Sequence, residues 1–174
     1  IESGHPNTLK RMKKPVKLDQ AEKIVKIIKE LDIELISNYV IGLPGDTFDE
    51  IRGTFAWAEA LDIDYSLFSI ATPLPATELY EICKQEKCIP EDFGFENFDY
   101  YGFGRGAITT KEFTPFELQV LRAFEWDRIN FKTQAKKEKI AGMLGITLAE
   151  LEDWRKETRR KVGVDIGVYK RTDE

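Results

Sequence analysis

Two short runs of β-branched and aromatic residues, each ending in a turn rich in glycine or proline, constrain the fold more than any other feature. The first, IELISNYVI, ends in Gly42-Leu43-Pro44-Gly45, and the second, YSLFSIA, ends in Thr72-Pro73-Leu74-Pro75. Apolar residues fall on both faces of each run, as in strands of a parallel sheet covered on both sides. Because amphipathic segments separate the runs, the pattern predicts an α/β fold with helices packed on the sheet.

Helix signals surround these strands. Residues 19–31 carry apolar side chains at helical spacing, with Asp19 as the predicted N-cap, and their predicted buried stripe is Ala21, Ile24, Val25, Ile28 and Leu31. Thr47 and Glu50 form a capping box for a second helix, whose predicted stripe is Phe48, Ile51, Phe55, Ala58 and Leu61. A third helix is predicted over residues 78–86.

The chain divides into three parts. Residues 1–90 hold the β/α pattern, and residues 91–113 form an aromatic and glycine-rich loop, densest in these residues at 93–106. That segment is interpreted as an Ω-loop filling a surface groove, with a lid over a ligand as the alternative. Residues 114–174 form a helical appendage, with capping boxes at TPFE and TLAE and a glycine turn at Gly145.

Only two complete strands and a stub, IESG, are present in the sequence. A parallel sheet of that size leaves strand edges and helix faces uncovered. We therefore expect further β/α repeats to be needed for stability, and the isolated chain to self-associate or to be marginally stable.

Bulk properties exclude several classes of function. A net charge of -5 disfavours general nucleic-acid binding, which needs an excess of Lys and Arg. No run approaches the roughly 18 apolar residues of a membrane span, and no signal peptide is evident, which predicts a soluble cytoplasmic protein. Cys83 and Cys88, in CKQEKC, match no metal-binding spacing and are interpreted as reduced thiols. No metal site is predicted, and His5 is interpreted as an ordinary polar loop residue.

Three segments follow the predicted strands: Glu2-Ser3-Gly4, Gly42–Gly45 and Thr72–Pro75. The carboxyl ends of parallel strands share one edge of a sheet, where ligands bind in α/β proteins. Gly42 and Gly45 would allow a flat ligand to approach the backbone. The side chains of Glu2 and Ser3, and that of Asn38 within the strand, could hydrogen-bond a ligand's polar groups.

The sequence contains, in this order, the segments IESG, IELISNYVIGLPGDTFDEI and LDIDYSLFSIATPLPATELY. Together, over residues 1–82, they closely resemble the second half of a radical S-adenosylmethionine (SAM) enzyme barrel. The resemblance is nearest to the branch of cobalamin-binding radical SAM methyltransferases and anaerobic magnesium-protoporphyrin monomethyl ester oxidative cyclases. It implies a partial TIM-type (β/α) barrel around SAM and a [4Fe–4S] cluster. The implied chemistry is cleavage of SAM to a 5′-deoxyadenosyl radical that abstracts hydrogen from a small-molecule substrate.

The resemblance also implies positions for the cofactor. Glu2 and Ser3 would lie by the ribose or the amino acid portion of SAM, and Asn38 would face the barrel interior. Ile41-Gly42-Leu43-Pro44 would pass the adenine, as would Thr72-Pro73. One departure is Ala76, where the family usually has glycine, so a different local turn is expected.

The larger departure is the family's CxxxCxxC loop, which is not in this sequence. The resemblance therefore implies a partner, the N-terminal half of the barrel, and in one branch a cobalamin domain ahead of it. No catalytic residue is assigned, and the chain by itself is predicted to be inactive. Methylation, oxidative cyclisation and other rearrangements stay open as reaction outcomes.

Two alternative functions compete with this interpretation. KIAGMLGITLAELEDWRKETRR has the shape of a helix-turn-helix, the motif of many DNA-binding modules. Its second helix, however, begins with acidic residues, and its basic residues cluster at the other end, so packing on the barrel or on a partner protein is favoured. The other alternative is a non-catalytic interaction domain.

Overall fold

The computed structural model describes residues 1–97 and 104–163. Within them lie seven α-helices and two β-strands. In chain order these are α1 (Pro6–Arg11), α2 (Leu18–Glu30), β1 (Ile36–Ile41), α3 (Phe48–Leu61), β2 (Tyr65–Ile70), α4 (Glu78–Gln85), α5 (Pro115–Asn130), α6 (Gln134–Leu144) and α7 (Leu148–Lys161), with one 3₁₀ turn at Phe95–Asn97.

The two strands form a parallel pair in which Ile36 lies opposite Tyr65 and Ile41 opposite Ile70. On the other side of β1, the Val40 amide donates to the Glu2 carbonyl at 2.9 Å. The IESG stub thus lies beside β1, in the place of a preceding strand. The α/β class is confirmed. The partial barrel stays a prediction, because a parallel strand pair occurs both in barrels and in open sheets.

The helix starts follow local side-chain chemistry. Thr47, Thr114 and Thr147 each accept a hydrogen bond from the backbone amide three residues on, in complete capping boxes with a glutamate. These three predicted starts are confirmed. Asp19 as an N-cap is wrong: α2 begins earlier, after Lys17, and Asp19 lies inside its first turn.

One face of the sheet forms the core. Tyr39 stacks on Phe68 with ring centroids 5.0 Å apart, and Phe55 of α3 lies 4.7 Å from the same ring. The opposite face carries Asn38 of β1, which is exposed, and its register partner Leu67, which is half-buried. Helices therefore cover one side of the pair, while much of the other side is open among the described residues.

Helix α5 closes the free edge of β2. The Asn130 side chain accepts from the Ser66 amide at 2.8 Å and donates to the Ser66 carbonyl at 2.9 Å. These are the two groups that a neighbouring strand would pair. Arg122 donates from Nε to the next outward carbonyl, that of Phe68, at 2.6 Å. The expectation that this edge is uncovered is wrong, because side chains of the appendage replace the missing strand.

The predicted stripe of α2 is only partly buried. Ala21 and Val25 are buried, whereas Ile24 is 56% and Leu31 64% exposed. Ile27, Ile33 and Ile36 extend this exposed apolar surface. The helical period was predicted correctly, but burial depends on a partner, and none of the described elements covers this face.

Helices α6 and α7 do form the predicted helix-turn-helix shape, with Gly145 at φ 67° as the turn. Arg155 of α7 is buried and paired with Asp127 at 2.6 Å and with Glu152 at 2.7 Å, and Arg159 also contacts Asp127 at 3.0 Å. Two of the basic residues that a DNA contact would use are therefore neutralised internally. In the described part of the chain, no helix combines the length and apolarity needed to cross a membrane.

Replacing Asn130 with alanine tests the closed edge. The change leaves the Ser66 amide and carbonyl buried without partners, so we expect a loss of about 3 kcal/mol in the free energy of unfolding. Urea unfolding followed by circular dichroism measures it. Asn38→Ala, at an exposed position on β1, serves as the control, with an expected change of about 0.5 kcal/mol or less. Equal effects of the two changes would contradict the edge-closing role.

Candidate functional site

The loops that follow β1 and β2 meet at the carboxyl edge of the sheet. The Ala71 amide donates to the Ile41 carbonyl at 2.8 Å, so the backbone segments that follow β1 and β2 leave the sheet side by side. This edge therefore brings Ile41-Gly42-Leu43-Pro44 close to Thr72-Pro73, with Glu2 and Ser3 on the far side of β1. Asn38 lies further back, within the strand.

Gly42 is required by packing as well as by backbone conformation. Its φ is 83°, and a Cβ atom there would lie 2.3 Å from Cδ1 of Leu118 in α5. Any side chain would collide with this buried leucine. The glycine thus lets α5 approach the end of β1 closely, and a ligand would have to reach this backbone from another side.

Asp46 organises the loop after β1. Its carboxylate is 1% exposed, accepts the Leu43 amide at 3.0 Å, and accepts the Thr8 hydroxyl at 3.0 Å. Arg11 of α1 pairs with the same carboxylate at 2.6 Å. This buried charge is therefore fully hydrogen-bonded, and it joins α1 to the Gly42–Gly45 turn.

Glu50, at the start of α3, completes the cluster. It accepts hydrogen bonds from Asn7 at 2.8 Å and from the Thr47 amide at 3.1 Å, and it also pairs with Arg11. Burial alone raises the pKa of this carboxyl, but the hydrogen bonds from Asn7, Thr47 and Arg11 outweigh burial and lower the pKa from 4.5 to about 2. His5, read as an ordinary loop residue, precedes α1, with Nδ1 3.7 Å from Glu50.

The side chains of the IESG stub make protein contacts. Ser3 is fully buried, its hydroxyl lies 2.9 Å from that of Thr54, and it also accepts the His5 amide at 3.1 Å. Glu2 is half-buried and pairs with Lys14 at 3.1 Å. The Ser3 hydroxyl therefore anchors the stub to α3, while the Glu2 carboxylate stays accessible to solvent. Their roles toward a cofactor stay predictions.

The predicted residues of β1 and its loop divide by face. Ile41 is 1% exposed and points into the core, whereas Asn38 lies on the open face. Leu43 and Pro44 are half-buried and line a cleft of about 870 Å³ between this loop, α4 and residues 109–112. Arg11 and Cys88 also line the cleft. The edge thus offers two surfaces, the open sheet face and this cleft.

The turn after β2 departs from the expectation for Ala76. Thr72 and Pro73 are buried, and the Thr72 hydroxyl donates to the Ile70 carbonyl at 3.2 Å. The Thr77 amide donates to the Leu74 carbonyl, and Ala76 has a φ of 67°. A proline followed by a positive φ defines a type II turn, the conformation that favours glycine. The expectation of a different turn is wrong: alanine occupies the glycine conformation with strain.

Cys83 and Cys88 are free and buried, and the Cys88 amide donates to the Cys83 carbonyl at 3.0 Å at the end of α4. Burial raises the pKa of both thiols, which disfavours the thiolate form. Within residues 1–97 and 104–163, no group of three His, Cys, Asp or Glu side chains could hold a metal ion. Residues 98–103 of the aromatic segment lie outside the described residues.

Sequence reasoning missed Arg11, Thr8 and Asp46. The only local signal was an aspartate directly after the Gly42–Gly45 turn. Arg11 and Thr8 lie more than thirty positions away from Asp46 in sequence, and no periodicity links them. Only the tertiary structure brings α1 against this loop.

Replacing Glu50 with glutamine tests whether the ionised cluster of Arg11, Asp46 and Glu50 stabilises the fold, through the pH dependence of the free energy of unfolding. A carboxyl whose pKa is lower in the folded protein than in the unfolded chain stabilises the fold at pH values above the unfolded-state pKa. This stabilisation is lost as the pH falls toward the pKa of the folded state. We expect E50Q to be less stable by about 2 kcal/mol at neutral pH. That difference should shrink between the ordinary pKa of 4.5 and about 2.

Urea titrations of both proteins across this pH range measure the difference. Asp49→Asn, at an exposed position in the same helical turn, is the matched control and should change little at any pH. A stability difference between E50Q and the parent that stays constant with pH would rule out the ionised pair.

Ala76→Gly tests the strained turn. Removing Cβ relieves the left-handed strain, while glycine adds entropy to the unfolded chain, so we expect a net gain of roughly 0.5–1 kcal/mol in unfolding free energy. Thermal and urea unfolding measure it. Ala56→Gly, at an exposed position within α3, should instead lose about 1 kcal/mol. A destabilised A76G protein would show that the turn is not strained.

No family model matches the sequence. An uncharacterized methyltransferase of Pyrococcus horikoshii is 38% identical over 81 residues, which cover 47% of this chain and 18% of that protein. A ribosomal protein uS12 methylthiotransferase of Herpetosiphon aurantiacus is 30% identical over 66 residues, covering 37% of the chain and 14% of the relative.

A third relative is the cytidylyl-2-hydroxyethylphosphonate methyltransferase of Streptomyces wedmorensis, 27% identical over 100 residues, or 53% of this chain and 19% of that protein. The chain spans less than a fifth of the length of each of these three relatives. Over about half its length or less, it is similar to methyltransferases and methylthiotransferases.

Proposed function

We propose that this chain is the C-terminal part of a radical SAM enzyme, whose carboxyl edge and open sheet face bind SAM. The observation that carries the proposal is the convergence of the stub, the Gly42–Gly45 turn and Thr72-Pro73 at one edge of a parallel strand pair. Ligands of parallel α/β proteins bind at this edge. The relatives' names, methyltransferase and methylthiotransferase, agree with an enzyme that uses SAM.

The residues present fit SAM on the open face. Asn38 is exposed there, beside half-buried Val40 and opposite Leu67. An amide flanked by apolar side chains suits a ligand with a flat base and polar substituents. Glu2 leaves an accessible carboxylate near the same edge for a hydroxyl or a cationic amino group.

The [4Fe–4S] cluster does not fit the described residues. Two buried thiols with raised pKa values cannot supply the three or four thiolates that such a cluster takes from protein. In this proposal the cluster belongs to another segment of the enzyme, and this chain contributes SAM contacts only. The isolated chain is then inactive.

The exposed surface of α2 supports a partner. Ile24, Ile27 and Leu31 are more than half exposed, and an apolar groove of about 380 Å³ runs between α2, Ile1 and the start of β1. This groove lies at the side of β1 where the stub lies. We propose that the N-terminal half of the barrel covers it, and that isolated chains self-associate through it.

For the reaction outcome we propose methyl or methylthio transfer to a small-molecule substrate in preference to oxidative cyclisation. The three curated relatives reported above carry transferase names. A cobalamin domain in the preceding part of the enzyme is retained as part of this proposal, following the family branch that the sequence resembles.

The test begins with the gene upstream of the codon for Ile1, which we expect to encode a strand followed by CxxxCxxC in frame. The whole protein, purified anaerobically and reduced with dithionite, should convert SAM to 5′-deoxyadenosine, measured by chromatography. Asn38→Ala should raise the KM for SAM by roughly tenfold, because a hydrogen bond to the ligand is lost.

Gln134→Ala, at an exposed position on α6, is the matched control and should leave the KM unchanged. A reading frame without the cysteine motif would overturn the enzymatic proposal. A whole enzyme that cleaves SAM with the same KM in N38A would instead show that SAM does not lie against the open face.

A further inference from the structure

A pocket of about 420 Å³ lies between β2, α5 and α7, away from the cleft beside the Gly42–Gly45 turn. Its volume falls in the range of about 300–1,000 Å³ that is usual for small-molecule sites. The walls are formed by aromatic, cationic and small polar residues. None of the sequence motifs pointed to this place.

Among the described residues, the charged side chains that line the pocket are all cationic. Arg105, Arg122 and Lys161 line it, and no aspartate or glutamate does so among the described residues. Lys161 pairs at 3.9 Å with Glu157, which does not line the pocket. The chain as a whole carries a net charge of -5, so a pocket lining whose charged residues are all cationic is a local departure, and Arg122 carries the argument below. A concave surface with one sign of charge attracts ligands of the opposite sign.

Arg122 is the central cation. Its Nε donates to the Phe68 carbonyl at 2.6 Å, which fixes the guanidinium at the edge of β2. In the described part of the chain, no carboxylate lies within ion-pair distance of it, whereas Arg11, Arg155 and Arg159 are all paired with carboxylates. Burial lowers the pKa of Arg122, in keeping with a cation that lacks a counter-ion.

Two tryptophans form a flat aromatic part of the wall. Trp126 is held by a hydrogen bond from its Nε1 to the Tyr65 hydroxyl at 3.2 Å, and its ring lies 5.1 Å from that of Trp154. Trp154 is 42% exposed, so part of its ring is available for contact. An aromatic surface beside a guanidinium suits a ring that bears an anionic group.

We propose that this pocket binds a small ligand in which a carboxylate or phosphate is attached to a flat ring. The anionic group pairs with the Nη atoms of Arg122 and with Lys161, which exchanges its 3.9 Å contact with Glu157 for the ligand, and the ring lies against Trp154. The pocket adjoins the open sheet face, since Leu67 lines both, but the proposal concerns Arg122 of α5 with Trp154 and Lys161 of α7 and does not depend on radical SAM chemistry.

The test uses the 174-residue chain and the probe 4-nitrobenzoate, whose nitroaromatic ring quenches tryptophan fluorescence. We expect saturable quenching by 4-nitrobenzoate and much weaker quenching by the neutral 4-nitrobenzyl alcohol. If inorganic phosphate competes with the probe, the natural ligand carries a phosphate. If phosphate does not compete, the ligand carries a carboxylate.

Arg122→Met should weaken 4-nitrobenzoate binding by about tenfold or more, since charge-assisted hydrogen bonds are lost. Arg128→Gln, on the same helix but paired with Glu59 and Glu125 outside the pocket, should bind as the parent does. Circular dichroism establishes that each variant is folded.

Lys161→Gln, at an exposed position, keeps the test decisive if R122M does not fold, and should weaken binding severalfold. Unchanged affinity in folded R122M would overturn the proposal. So would unchanged affinity in K161Q, or equal quenching by the acid and the alcohol.

Discussion

The pairing of Asn130 with Ser66 is the interaction on which this structure depends. A two-strand parallel sheet has an open edge on each side, and unpaired backbone groups there are costly when buried. One amide side chain supplies both the donor and the acceptor of a neighbouring strand, and Arg122 pairs the next outward carbonyl. The helical appendage is thereby joined to the sheet, and α5 is placed so that one face of it forms a pocket wall.

The loop after β1 is held from both sides by quite different forces. On the core side Leu118 occupies the space where a side chain of residue 42 would be, so dispersion and steric exclusion determine the path of the backbone. On the outer side Asp46 holds the Leu43 amide and the Arg11 guanidinium, so hydrogen bonds and charge determine it. A loop fixed in this way presents its backbone in a constant geometry, which suits a ligand-binding edge.

Sequence signals were reliable where the structure they predict depends only on residues close together in the chain. The capping boxes at Thr47, Thr114 and Thr147 and the glycine turn at Gly145 need only residues a few positions apart, and the structure has all of them. Prediction failed where burial depends on distant elements. Ile24 and Leu31 fit a buried stripe, yet they are exposed because burial requires a partner surface. Ala76 adopts a left-handed conformation that favours glycine, because the turn from β2 into α4 requires it.

The sequence by itself determined the α/β class, the two strands with their terminal turns, and the resemblance to a radical SAM barrel, since each of these is written in contiguous residues. The tertiary structure decided which groups meet. It brought Arg11 to Asp46 across 35 positions, Asn130 to Ser66 across 64, and Arg122 to the edge of β2 across 54. Such contacts arise from packing of whole helices on the sheet, and no local propensity or periodicity specifies them.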